Sequence, residues 1–205
     1  MGNRAVITTK QAWANDGIGI YLHWNGGRDS VEAFLDYCRL RGFRTGQYGI
    51  ARLAQVIGNY FGGGLSIGID TLWHLDCDNG DNGVYIVEDW KIVDRRYYHG
   101  EEQREYALQD MLKEIDAAQP AGEQIGEDFF DAEPVRTADL QIGNMVWVQD
   151  WQGKWMVRQV AGIGDGRTVN GFETMGVPYI AEYGDEPAGN INNYLREAEY
   201  LVDRF

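Results

Sequence analysis

Cysteine is scarce in this chain: Cys38 and Cys77 are the only two among 205 residues, and neither belongs to a CxxC pair. That count is too small for a disulfide framework and leaves no cysteine-built zinc motif. Imidazole is limited to His23, His74 and His99. No stretch approaches eighteen consecutive apolar residues, which argues against a membrane-spanning helix. The N-terminus has no basic segment followed by an apolar run, so no secretory signal is read and the expected location is the cytoplasm of a bacterial cell. The fingerprints of common chemistries are also missing: no GxGxxG, no glycine-rich loop ending in GKS or GKT, no GxSxG and no HExxH. The expectation is a protein that is not an enzyme, with no cofactor and no bound metal.

Basic residues are outnumbered, 18 against 32 acids, for a formal charge of -14. At that charge the phosphate backbone of DNA or RNA repels the molecule, so direct nucleic-acid binding is not expected, nor is adhesion to an anionic membrane. The imbalance is local. Residues 1–100 hold eleven acids and ten bases, residues 101–139 twelve and three, and residues 140–205 nine and five. The near-neutral first half keeps Arg4, Arg28, Arg39, Arg41, Arg44, Arg52, Arg95 and Arg96, enough for a cationic pocket. With 44% hydrophobic and 24% charged residues the chain sits in the globular range, long enough for one medium domain or two small ones.

The patterning predicts an α+β fold. Residues 5–9 and 17–24 are β-prone, and residues 25–28 interrupt them. Val31, Phe34, Leu35 and Cys38 then recur at helical spacing behind Asp29 and Ser30, predicting a helix to about Leu40. Ile50, Leu53, Ala54, Ile57 and Phe61 predict a second helix, stopped by three glycines at 62–64. Residues 65–70 and 84–93 read as a β-hairpin with a long acidic turn. A third helix is expected over 101–117 from the stripe Leu108, Met111, Leu112 and Ile115. Residues 119–138 read as an acidic linker. The expected organisation is an N-terminal mixed domain over 1–118 with antiparallel strands and three helices, the linker 119–138, and a small β-barrel domain over 139–205. The turn and strand Ile142-Gly143-Asn144-Met145-Val146-Trp147-Val148, with a return strand after Gln152-Gly153-Lys154, resembles the opening of SH3-like and KOW-like barrels.

The segment with the sharpest chemistry is His23-Trp24-Asn25-Gly26-Gly27-Arg28-Asp29-Ser30, between a strand and a helix. Two glycines permit a tight turn, the helix start presents unpaired N–H groups, and Arg28 adds a bidentate grip, so the segment reads as an anion cradle. His23 and Trp24 offer a stacking plane for a base or sugar. The opposing reading is that the glycines only turn the chain while Asp29 takes up the helix N–H groups. Asn59 and Tyr60, at the end of the second helix, are further candidate binding residues. The loop 76–83 carries three carboxylates and two amides but fails the EF-hand pattern, since Gly80 stands where a ligand is needed; it reads as a solvated turn. Cys38 falls on an apolar helix face and Cys77 in an acidic loop, so neither reads as an activated nucleophile. The acids Glu123, Glu127, Asp128, Asp131 and Glu133, continuing the acidic helix, form an alternative partner surface able to imitate phosphate spacing.

The strings Met1-Gly2-Asn3-Arg4-Ala5-Val6-Ile7-Thr8 and Tyr21-Leu22-His23-Trp24-Asn25-Gly26-Gly27-Arg28-Asp29-Ser30-Val31-Glu32-Ala33-Phe34-Leu35 resemble an uncharacterised group of phage and prophage proteins of Gram-positive hosts. The resemblance covers about residues 1–100. It implies a phage setting, in which small proteins without enzyme motifs are often antagonists of host defence. The leading expectation is an anti-defence binding protein, assembled as a homo-oligomer, that sequesters an anionic, nucleotide-derived signal. The alternatives are an acidic DNA mimic that inhibits a CRISPR nuclease or restriction enzyme, and an enzyme that degrades a nucleotide signal.

Overall fold

The computed structural model describes residues 3–63, 67–98, 100, 102, 104–149, 153–166, 168–169, 172–173, 175–180 and 202–203. The glycine, leucine and serine at 64–66, His99, Glu101 and the turn residues Trp151 and Gln152 lie outside the described residues. The architecture is mixed α+β, with five α-helices and two five-stranded sheets among the described residues. The chain forms two compact units, Met1–Phe130 and Asp131–Phe205.

The first unit runs β1 (Ala5–Thr9), α1 (Lys10–Ala14), β2 (Ile18–Leu22), α2 (Arg28–Leu40), α3 (Gln47–Tyr60), β3 (Ile67–Thr71), β4 (Val84–Glu88), β5 (Lys91–Arg96), α4 (Leu108–Ala117) and α5 (Glu127–Phe130). Its sheet has the order β3-β2-β1-β4-β5. All neighbours are antiparallel except β1 and β4, which are parallel. The α2 and α3 helices fall where apolar spacing predicts them, because each presents a continuous buried stripe: Val31, Phe34, Leu35 and Cys38 on α2, Ile50, Leu53 and Ile57 on α3.

Every residue of β1 is buried, so both faces of the sheet are covered. Alternation puts Ile7 and Thr9 on one face, where Gln47 of α3 donates to Thr9 Oγ1 at 3.2 Å. On that side Ile7, Ile20, Leu22, Phe34, Ile57 and Ile115 are fully buried, each contributing about 1.5–3 kcal/mol of apolar burial. On the other face Val6, Val84 and Ile86 pack with Leu72, Trp13, Tyr21, Leu75 and Cys77.

Three expectations are corrected. The runs near 65–70 and 84–93 do not pair with one another: β3 pairs with β2, while β4 enters the sheet beside β1. The second run is itself a hairpin, turned at Asp89 and Trp90, whose φ values of 49° and 59° suit the twist of a two-residue turn. The third helix begins at Leu108, so Glu102 and Glu105 precede it. The span 119–130 is built into the first unit: Gln119 is buried and donates to Ile115 O and Val56 O, and Phe129 and Phe130 are buried with rings 5.2 Å apart. A chain that carries two buried phenylalanines cannot act as a free linker.

The second unit holds β6 (Glu133–Pro134), a single 3-10 turn at Thr137–Asp139, β7 (Met145–Gln149), β8 (Trp155–Ile163), β9 (Thr168–Val169), β10 (Phe172–Glu173), β11 (Pro178–Ile180) and β12 (Val202–Asp203). Five of these strands make an antiparallel sheet of order β11-β8-β7-β12-β6, and β9 pairs with β10. Among the described residues its core includes Leu140, Val146, Val160 and Ile180, flanked by Val135 and Val148. No helix among the described residues is long and apolar enough to cross a membrane.

Candidate functional site

The turn between β2 and α2 is tied to the sheet through its backbone. Gly26 donates its N–H to Asn3 O at 2.8 Å and accepts the Tyr85 hydroxyl at 3.0 Å. A side chain at position 26 would meet Asn3 O at 2.6 Å and Arg4 C at 2.7 Å, which is why the turn needs glycine there. Asn25 takes a left-handed φ of 53°. Gly27 is the N-cap of α2 and supplies no side-chain cap.

The polar residues that follow are engaged with acids and amides of the same unit. Arg28 Nε donates to Glu32 Oε1 at 2.7 Å, and Arg28 Nη1 lies 3.6 Å from Glu102 Oε1. The hydrogen bond from Arg28 to Glu32 holds the guanidinium pKa above its usual value. Asp29 Oδ1 accepts the Ser30 N–H at 2.8 Å, while its Oδ2 accepts the N–H groups of Glu105 and Tyr106 at 2.6 and 2.8 Å. Asp29 thus serves its own helix once and otherwise pins the segment that leads into α4.

A second guanidinium reaches the same place. Arg95 Nη1 donates to Glu102 Oε1 at 2.5 Å, so Arg28 and Arg95 share one carboxylate oxygen. Arg95 is held independently of that contact. Its Nε and Nη2 donate to Asn82 O and Oδ1, both at 3.0 Å, and its guanidinium carbon lies 4.3 Å from the Tyr85 ring centre and 3.6 Å from that of Tyr98. The side chain is only 12% exposed. Nothing in the sequence spacing marks Arg95, Glu102 or Asn82 as partners of Arg28; they meet because β5 ends beside the start of α2.

Of the remaining residues expected at the cradle, Asn25 and Tyr60 meet through a side-chain hydrogen bond, and the others are dispersed around it. Ser30 is buried and its hydroxyl has no partner. Trp24 is 45% exposed, with its ring edge-on to His23 at 4.9 Å, and Tyr21 Oη lies 3.4 Å from His23 Nδ1. Asn59 is drawn away by Gln119, donating to its Oε1 at 2.9 Å. Tyr60 packs edge-on against Phe34 and Phe61 and donates to Glu114 at 3.4 Å; burial, with Glu114 adding to it, pushes the phenol up to about 12.

Other candidates resolve into structural roles. The loop 76–83 is half-buried rather than solvated. Asn79 Oδ1 accepts from Asp81 N and Gly83 N, and Arg4 Nε donates to Asp81 at 2.7 Å. Among the described residues no group of three acids, histidines or cysteines is arranged to hold a metal. Burial pushes both the Cys38 and Cys77 thiols up, away from nucleophilic reactivity. Asp116, in the acidic helix α4, is buried and accepts from Tyr37 and from Ile125 and Gly126 N–H. Glu123, Glu127, Asp128, Asp131 and Glu133 are all exposed, the first three in the N-terminal unit and the last two in the C-terminal one. Comparison of the chain with protein-family models, with curated proteins and with solved structures finds no match.

Proposed function

We propose that the N-terminal unit is a binding module that captures a phosphate-bearing small molecule stoichiometrically, without turning it over. One observation carries this reading: Arg28 and Arg95 converge on a single carboxylate oxygen of Glu102 beside the first turn of α2. Two guanidiniums aimed at one oxygen form a geometry suited to phosphate, and Arg95 is fixed in that geometry by two tyrosine rings and Asn82. Half-exposed Trp24, at the other end of the same turn, is the surface on which a base would stack.

In this reading the guest is a nucleotide-derived signal of a defence response, and the chain is a phage-borne, cytoplasmic sponge that acts as a homo-oligomer. The support for that setting is the resemblance of residues 1–100 to phage and prophage proteins. We further infer that the C-terminal unit is an SH3-like barrel. Its long β7–β8 hairpin, extended by β11, supports the assignment.

The direct test incubates the purified full chain with lysate from defence-activated cells, removes free solutes, denatures the protein and identifies the released molecules by mass spectrometry. An unchanged phosphate-bearing compound is expected from the native chain and not from Arg28→Ala. A modified compound formed by catalytic amounts of protein would instead establish an enzyme. A second reading rests on the exposure of all five acids between Glu123 and Glu133: the chain would dock into the basic groove of a nuclease as a DNA substitute. Neutralising those acids would then abolish inhibition, whereas Arg28→Ala would not.

A further inference from the structure

We infer that Glu102 is a built-in competitor for the Arg28 and Arg95 site, and that it restricts the site to guests carrying two or more negative charges. The inference rests on the capture reading given above and specifies its ligand class. Glu102 already fills the anion position, contacting both guanidiniums through one oxygen. Arg28 is additionally neutralised by Glu32 at 2.7 Å. The four charges cancel, so a guest with a single negative charge merely exchanges one carboxylate for another. It does so against a group tethered at high effective concentration. A pyrophosphate, a phosphomonoester or a molecule with two phosphodiesters brings more charge and more acceptor oxygens than Glu102 can, and therefore displaces it.

Two features favour this exchange over a fixed ion-pair network. The described residues of the segment bearing Glu102 lie at the surface: Glu102, Arg104, Glu105 and Tyr106 are all exposed, and their described ties to α2 are polar, the two N–H bonds to Asp29 and the contact to Arg28. Surface polar ties open locally at lower cost than buried apolar packing. Arg95, by contrast, stays in place when Glu102 leaves, because Tyr85, Tyr98 and Asn82 hold it. One buried hydroxyl beside the site has no partner while Glu102 occupies it: Tyr98 Oη, from the ring that covers Arg95. Unpaired buried donors are costly, and a guest with several oxygens offers acceptors that one carboxylate does not.

The test titrates the full chain and Glu102→Gln with inorganic pyrophosphate and, separately, with acetate. Pyrophosphate should bind the native chain and bind Glu102→Gln at least about tenfold tighter, since removing a competing state restores the intrinsic affinity. Acetate should bind only Glu102→Gln. Equal pyrophosphate affinities for the two proteins would overturn the competition while leaving the capture reading intact. No pyrophosphate binding by either would overturn both. Hydrogen exchange on the native chain supplies a measurement that needs no variant: pyrophosphate should speed exchange of the Glu105 and Tyr106 amides. Unchanged exchange there at saturating pyrophosphate would overturn opening of this backbone segment as the route by which Glu102 leaves.

Discussion

Tyr37 Oη donates to Asp116 Oδ1 at 2.7 Å, joining α2 to α4 inside the core of the first unit. Burial, followed by the bond to Asp116, raises the Tyr37 phenol far above its usual range, so it remains a donor at all ordinary pH. The same carboxylate accepts the N–H groups of Ile125 and Gly126 at 2.7 and 2.9 Å, which brings the chain after α4 back toward α5. Removing the hydroxyl with Tyr37→Phe leaves Asp116 two partners and should cost about 1 kcal/mol. Asp116→Ala strands three donors and should cost about 3 kcal/mol or more. Denaturant unfolding of both variants and of the double mutant checks this, with the double mutant expected to fall short of the sum because the two groups share one network.

Acid should weaken the tie between the N-terminal strand and the loop 76–83. Arg4 donates to Asp81 from both its Nε and its backbone N–H, and these bonds hold the Asp81 carboxyl below the usual value of 3.8. A depressed pKa in the folded state stabilises the fold above about pH 4. That contribution is lost as pH falls through the lower, folded value. Asp81→Asn should therefore flatten the acid limb of the stability profile below about pH 4, as read by unfolding midpoints across pH. An unchanged limb would show that the Arg4 contact contributes nothing to acid stability.

The two arginines of the candidate site should separate by stability. Arg28 is partly exposed and its pairs with Glu32 and Glu102 are surface pairs, so Arg28→Ala should change unfolding free energy by less than about 1 kcal/mol. Arg95 is stacked and bonded in a mostly buried position. Arg95→Lys keeps the charge but loses the planar fork and both ring contacts, and should cost about 2 kcal/mol. Thermal unfolding of the two variants side by side measures the difference.

The β4–β5 turn combines strain with packing. Trp90 has a φ of 59°, uncommon for a bulky residue, yet it is buried and its indole N–H donates to Phe43 O at 2.9 Å. Packing outweighs the backbone cost. Trp90→Gly relieves the conformation but empties the site, and should destabilise by about 3 kcal/mol. If equilibrium unfolding instead showed Trp90→Gly to be neutral, strain rather than packing would dominate at this turn.

The periodic signals carried α2 and α3 correctly because a helix buried on one side must repeat its apolar residues every three to four positions. Two-residue alternation predicted the β7 and β8 strands, and the helical repeat also placed Cys38 in the core. Periodicity misplaced the start of the third helix, since Glu102 and Glu105 are acceptable first-turn residues and nothing local announces that they are taken by Arg28, Arg95 and Asp29. It also merged β4 and β5 into one strand, because Asp89 and Trp90 lack the Asn-Gly signature of a tight turn. The turn Asn25-Gly26-Gly27 was legible from its glycines. Its partners were not.

Composition and periodicity by themselves determined that this chain folds as α+β, that its acids concentrate in the middle, and that the β2–α2 junction carries an arginine on a glycine turn. Only the tertiary structure decided strand pairing, the end of the first unit at Phe130, and what Arg28 faces. The physical reason is range: helical and strand periods are properties of neighbours along the chain, whereas a guanidinium meets whichever carboxylate the packed sheet brings to it. For Arg28 the helix itself supplies Glu32 at 2.7 Å one turn on, and the tertiary structure adds Glu102, 74 positions away in sequence and 3.6 Å away in space.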